Sequence, residues 1–161
     1  HRMQRMLAEA WSTRNPTLPL NSAYDALILA SIVEKEAAVD FEKPLIASVF
    51  TARLARGMRL QADPTVAYGL GVGFKGQLTR THLASDTPYN TYTRKGLPPS
   101  PISNPGRAAL AAATQPAETT FLYFVARGNG EHQFSTTYRE HQKAVLAYRQ
   151  TRQRQSLRKQ K

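Results

Sequence analysis

The segment DALILASIVEKEAAVDFEKP, residues 25–44, constrains this chain most, because a helix that is almost wholly apolar runs into two carboxylates two residues apart. At about 100° per residue, Leu29, Ile32, Val33 and Glu36 fall at i, i+3, i+4 and i+7, the spacing of a core-facing stripe. Glu36 therefore lies in line with the apolar face. Glu34 points roughly 200° away from it, and Glu34 with Lys35 is expected to emerge into solvent. A carboxyl on an apolar face loses hydration, which disfavours its ionised form and raises its pKa. Two readings of Glu36 stand at this point. It is either a general acid or a structural carboxyl with a partner, since an unpaired buried carboxylate costs several kcal/mol.

With 161 residues and 41% hydrophobic content, the chain is long enough for one good core and fits a single domain. Its net charge of +11 suggests nucleic acid until it is divided along the sequence. Residues 1–138 carry 14 basic and 10 acidic side chains, whereas 139–161 carry 8 and 1, so the basicity belongs mostly to the C-terminal end. The last stretch, RQTRQRQSLRKQK, has one lone Leu157 and reads as a frayed helix end or a disordered arm. Its expected role is a solvated surface, with anionic lipid head groups as the alternative contact. The absence of cysteine excludes disulfides, zinc-thiolate sites and thiol nucleophiles together. No stretch approaches the ~20 apolar residues of a membrane span, no signal peptide is present, and a start at His1 rather than Met reads as a fragment.

Helical spacing predicts a first helix over 2–13, through Met3, Met6, Leu7, Ala10 and Trp11, broken by NPTLPL. A second is expected over about 22–38. A third, over about 44–56, puts Ile46, Val49, Phe50, Arg53 and Leu54 on one face, with Gly57 as its stop. Residues 58–105 are dense in Gly, Pro, Asn, Asp and Thr and predict long ordered loops with helical turns near PTVAYGLG and LTRTHLAS. NPGRAALAAATQP then predicts a short helix, FLYFVARGNGEHQFSTT a β-hairpin around Gly128-Asn129-Gly130, and YREHQKAVLAYRQ a closing helix. The fold class expected is α+β, helix-dominated, with one hairpin. The organisation reads as an N-terminal helical arm over 1–20, a main domain over 21–150 and a basic tail over 151–161.

No phosphate-binding loop, dinucleotide glycine pattern or HExxH is present, and none of His1, His82, His132 and His141 pairs with another at i+3 or i+4. No metal and no cofactor are expected. LQADPTVAYG and TPYNTYTRKGLPPSPISNPG instead gather Gln61, Asp63, Thr65, Tyr89, Asn90, Thr91 and Tyr92 among stiffening prolines. Amides and hydroxyls beside flat aromatic faces suit a hydroxyl-rich ligand such as a glycan. Asp63 has a competing role as the cap of a helix with Pro64 at its first position, which the local sequence favours, and Asn90 and Thr91 have one in satisfying loop backbone.

Taken together, LILASIVEKEA, ASVFTARLARGMRLQADPTVAYGLG, PYNTYTRKGLPPSPISNPG and LYFVARGNGEHQFSTTYREH resemble, in that order, the catalytic domain of the MltG/YceG-like endolytic murein transglycosylases. The resemblance covers residues 21–150. It implies a lysozyme-like catalytic domain that cleaves within peptidoglycan strands, at the β-1,4 bond between N-acetylmuramic acid and N-acetylglucosamine, leaving a 1,6-anhydro-muramyl end. Glycosidases ordinarily use two carboxyls, but a lytic transglycosylase needs one, because the sugar's own C6 hydroxyl attacks. Lytic transglycosylases of the lysozyme-like kind carry that residue as a Glu before a small residue near the end of an apolar helix, which Glu36-Ala37 matches better than Glu34-Lys35. The resemblance thus makes Glu36 the general acid and then base. Gln61, Asp63, Tyr89, Asn90, Thr91 and Tyr92 become substrate contacts, with Glu42 a reserve polar partner at the helix-loop junction. It further implies a preceding membrane helix and LysM-like module, a place on the periplasmic face of the inner membrane, and work beside peptidoglycan synthases such as penicillin-binding proteins.

Two rivals remain at the level of sequence. A non-catalytic glycan-binding module would keep the polar loops and leave Glu36 idle. A nucleic-acid-binding protein would need basic residues spread over a folded face, whereas these are concentrated at one end.

Overall fold

The computed structural model describes residues 1–159. Its elements are α1 (Arg2–Ser12), α2 (Ala23–Glu36), a single 3-10 turn (Asp40–Glu42), α3 (Lys43–Ala55), α4 (Asp63–Gly69), α5 (Arg80–Ala84) and α6 (Arg107–Thr114). The chain closes with β1 (Tyr123–Ala126), β2 (His132–Ser135) and α7 (Tyr138–Lys159). This is the helix-dominated α+β class read from the sequence.

α2 is the centre of the molecule, packing against α1, α3, α4 and α6. Ala26 and every residue from Ile28 to Val33 are buried. The apolar stripe is therefore wider than the one-sided face its spacing suggested, because neighbours enclose the helix all round. Ser22 starts it, accepting the Asp25 amide at 3.1 Å, while the Asp25 carboxylate takes the Asn21 amide at 2.9 Å. Glu36 is its last residue, and extended backbone at Ala37 ends it there. Ser31 can sit in this core because its hydroxyl donates to the Ile28 carbonyl at 2.7 Å and accepts the Ile102 amide at 3.0 Å. That second bond ties the proline-rich loop before α6 onto α2.

The alanines of α6 let it approach α2 and α3 closely, burying Ala109, Leu110, Ala112 and Ala113 against Leu29, Ile32, Ile46 and Phe50. Burying a Leu or Ile side chain contributes about 1.5 to 3 kcal/mol, so this interface carries much of the stability. Gly57, in the left-handed region at φ +64, reverses the chain after α3, and the Met58 amide closes back on the Arg53 carbonyl at 2.9 Å. α4 and α5 are the short helical turns expected within the long loop region.

β1 and β2 pair antiparallel from Tyr123 with Ser135 to Ala126 with His132, and Gly128 and Gly130, both at φ +89, make the turn possible. α7 packs on this hairpin. It is longer than the closing helix expected from YREHQKAVLAYRQ: one continuous helix runs through position 151 to Lys159. Thr151 and Gln155 lie close to Gly128 of the hairpin turn, a neighbour that composition alone does not reveal. Residues 160 and 161, also assigned to the tail, lie outside the described residues.

Candidate active site

Glu36 ends the central helix, so its position is fixed by the best-packed element in the molecule. The residue keeps partial solvent access. Its carboxyl is nevertheless enclosed, and burial, with the charge of Asp63 adding to it, pushes the pKa up to about 8. Asp63 is exposed at the start of α4 and accepts the phenol of Tyr92 at 2.5 Å. Its side chain makes no capping bond to α4, so the helix-cap role favoured from sequence gives way to the bond with Tyr92. Burial first, then the bond to Asp63 and the charges of Asp63 and Glu36, keep the Tyr92 phenol firmly protonated. Glu36, Asp63 and Tyr92 thus form one electrostatically connected group.

Gln61 lies in the turn before α4, two residues ahead of Asp63. It is exposed, its backbone N–H donates to the Thr91 carbonyl at 3.1 Å, and its side-chain oxygen lies 3.4 Å from Nη1 of Arg53. Tyr89 stands beside the group rather than in it. Its hydroxyl bonds Ser100 at 2.7 Å and its ring tilts against Tyr68 with centroids 4.9 Å apart.

Asn90 and Thr91 require a correction. The expected sugar contacts are not available to them, because both are buried, at 1% and 2% exposure. Asn90 donates to the Leu83 and Ser85 carbonyls at 3.0 and 2.7 Å and accepts the Tyr92 amide at 2.8 Å, so both of its N–H donors and one acceptor site are in use. The Thr91 hydroxyl accepts the Ala62 amide at 2.9 Å and meets the Thr65 hydroxyl at 2.8 Å. These two residues shape the loop that presents Tyr92, the backbone role that was weighed for them.

Glu34 is corrected too. Rather than emerging freely, its carboxylate accepts the Gly106 amide at the start of α6 at 3.0 Å and pairs with Lys43 at 3.3 Å. Glu42 is 3% exposed and is committed to the hairpin, accepting the His132 amide at 2.8 Å and meeting its Nδ1 at 2.6 Å. Arg53 is the residue near the site that sequence reading passed over. Its signal was present, a cation on the apolar face of α3, the same kind of anomaly that marked Glu36.

Among the described residues no cluster of His, Asp and Glu is arranged to hold a metal ion, and no helix is long and apolar enough to cross a membrane. A groove of 550 Å³ between the hairpin and α7, bordered by Phe134, Lys143 and Tyr148, shares no residue with the Glu36 group.

A model of the YceG-like family matches residues 1–147. The chain belongs to the YceG-like family. One relative, named endolytic murein transglycosylase, from Bacillus subtilis, is 44% identical over 79% of this chain and 35% of its own length. Another of the same name, from Streptococcus pneumoniae, is 32% identical over 91% of this chain and 27% of its own. The chain therefore spans between about a quarter and about a third of the length of these relatives. A solved structure of a yceG-like protein from Listeria monocytogenes superposes with a TM-score of 0.73 at 42% identity, covering 88% of this chain and 43% of that one. The fold described above is thus a YceG-like fold.

Proposed function

We propose that this chain is the catalytic part of an endolytic murein transglycosylase, with Glu36 as its acid and base. The observation that carries the reading is an enclosed carboxyl, held protonated up to about pH 8, next to an exposed Asp63 that is bonded to a half-buried Tyr92. A protonated acid at neutral pH is what a glycosidic leaving group requires. The names of the two relatives supply the substrate class, peptidoglycan.

In this reading Glu36 gives its proton to the bridging oxygen as the bond from C1 of N-acetylmuramic acid breaks, releasing the 4-hydroxyl of N-acetylglucosamine. The C6 hydroxyl of the same muramyl ring then attacks C1, forming the 1,6-anhydro bridge, and its proton passes to the Glu36 carboxylate. The acid is regenerated and no water is consumed. Positive charge develops at C1 on the way, and Asp63 offers a negative charge nearby to stabilise it. Tyr92 holds Asp63 in place, Gln61 and Tyr92 contact the sugars, and Tyr89 flanks the strand. Asn90 and Thr91 act beneath them by shaping the loop. The strand is cut on the periplasmic side, beside the synthases that extend it.

Mass spectrometry of uncrosslinked glycan strands, after incubation with the wild-type chain, Glu36→Gln and Glu34→Gln, tests this. Anhydro-muramyl ends are expected from the wild type and Glu34→Gln and not from Glu36→Gln. Reducing ends in their place would make water the acceptor and the protein a hydrolase. Retained strand binding without cleavage in any variant would sink the catalytic reading in favour of a glycan-binding module.

A further inference from the structure

Arg53 is a cation where packing alone would put an apolar residue. It lies on the inner face of α3 at 7% exposure, and among the described residues no carboxylate is within ion-pair distance of it. Burial lowers its pKa, against the opposing influence of the Tyr123 and Tyr92 phenols. Desolvating a charge is costly, and a well-packed apolar side chain would serve stability as well or better.

Its hydrogen bonds show where the cation is used. Nε donates to the Leu122 carbonyl at 2.7 Å, and Nη1 faces the carbonyls of Arg59 and Leu60, both at 3.1 Å, and the Gln61 side-chain oxygen at 3.4 Å. The guanidinium carbon also stands 5.2 Å from the centroid of the Tyr123 ring. A planar fork with donors in fixed directions can do this, whereas a lysine ammonium cannot reach both sides at once. The turn so held is unusual. Gln61 adopts φ +52, the one non-glycine residue in the left-handed region among the described residues. Such a conformation persists when surrounding contacts over-determine it, and it clusters at functional sites. Asp63 follows two residues later.

We propose that Arg53 is a positioning residue for the Glu36 site: by clamping the 59–61 turn in its left-handed form, it sets where the Gln61 amide and the Asp63–Tyr92 pair stand relative to Glu36. This rests on the reading of Glu36 as the acid of a strand-cleaving site. Arg53 itself touches no sugar.

The test measures kcat, KM and melting temperature for the wild type, Arg53→Lys, Gln61→Ala and the double variant, with Glu36→Gln as the inactive control. Cleavage by the wild type and none by Glu36→Gln establishes the underlying reading first; without that difference, both the reading and this inference fall. Given it, each single variant is expected to lower kcat by about tenfold or more while KM moves by less than about threefold, because misplacement of a positioned group acts on the chemical step. The double variant should be no slower than Arg53→Lys, since both act through one turn. Losses that multiply, to about a hundredfold, would show independent roles and overturn the proposal. So would a folded Arg53→Lys with wild-type kcat, which would leave Arg53 only a structural part. If Arg53→Lys does not fold, Gln61→Gly and Gln61→Ala with Arg53 intact decide the matter. Both must lose activity, because both remove the amide that Arg53 orients, and wild-type kcat in both overturns the clamp.

Discussion

In the proposed mechanism a single carboxyl, that of Glu36, links stability to chemistry. Its folded pKa is raised above its ordinary value, so the native state holds a proton that the unfolded state releases between about pH 4.5 and 8. The folded state therefore loses stability relative to the unfolded one as pH rises through that window, and below it the penalty is absent. Glu36→Gln removes the effect. The melting temperature of the variant minus that of the wild type should grow from pH 5 to pH 8; a difference that stays flat would mean the carboxyl titrates normally. Activity should follow the same proton, persisting through neutral pH and falling above about pH 8. Asp63 adds to the raised pKa by its charge, so Asp63→Asn should move the alkaline fall in kcat to lower pH. An unmoved limb would assign the shift to burial alone.

At the level of elements, the hairpin is tied to the helical core by side chains rather than by extent of sheet. Two four-residue strands are marginal on their own. Glu42 binds His132 through two contacts from the end of the 3-10 turn before α3, and Phe124 meets Phe50 edge-on with centroids 5.6 Å apart. Glu42→Ala leaves the half-buried His132 amide without its acceptor, a loss of about 1 kcal/mol. Amide exchange should then speed up in the hairpin first, and unchanged protection there would show the anchor is dispensable. α7 completes the arrangement by lying along the hairpin, with Tyr123 stacked on His141 at a centroid distance of 5.1 Å. Burial, with the Arg53 charge adding to it, lowers the His141 pKa and keeps this stack neutral near physiological pH.

Across the whole molecule, α2 joins the core to the site: it is buried by α3 and α6 and delivers Glu36 at its end. Leu29 lies fully buried in that junction. Leu29→Ala should cost roughly 2 to 5 kcal/mol and lower the melting temperature by roughly 5 to 15 °C. A calorimetric scan with a smaller loss would mean that α6, with its small alanines, collapses into the space.

The sequence by itself determined the helix order, the hairpin and its glycine turn, and the enclosed placement of the Glu36 carboxyl at the end of α2, because these follow from local periodicity and turn chemistry. It also marked the loops that carry Gln61, Asp63 and Tyr92. Tertiary structure alone decided which of those loop residues remain free. Asn90 is consumed by the backbone of its own loop, Thr91 by the Ala62 amide 29 positions away, Glu34 is captured by Gly106 across 72 positions, and α7 continues beyond its expected end. Hydrogen-bond partners of that kind are fixed only when separate segments meet, and polar side chains of the same type become contacts or struts according to what they meet.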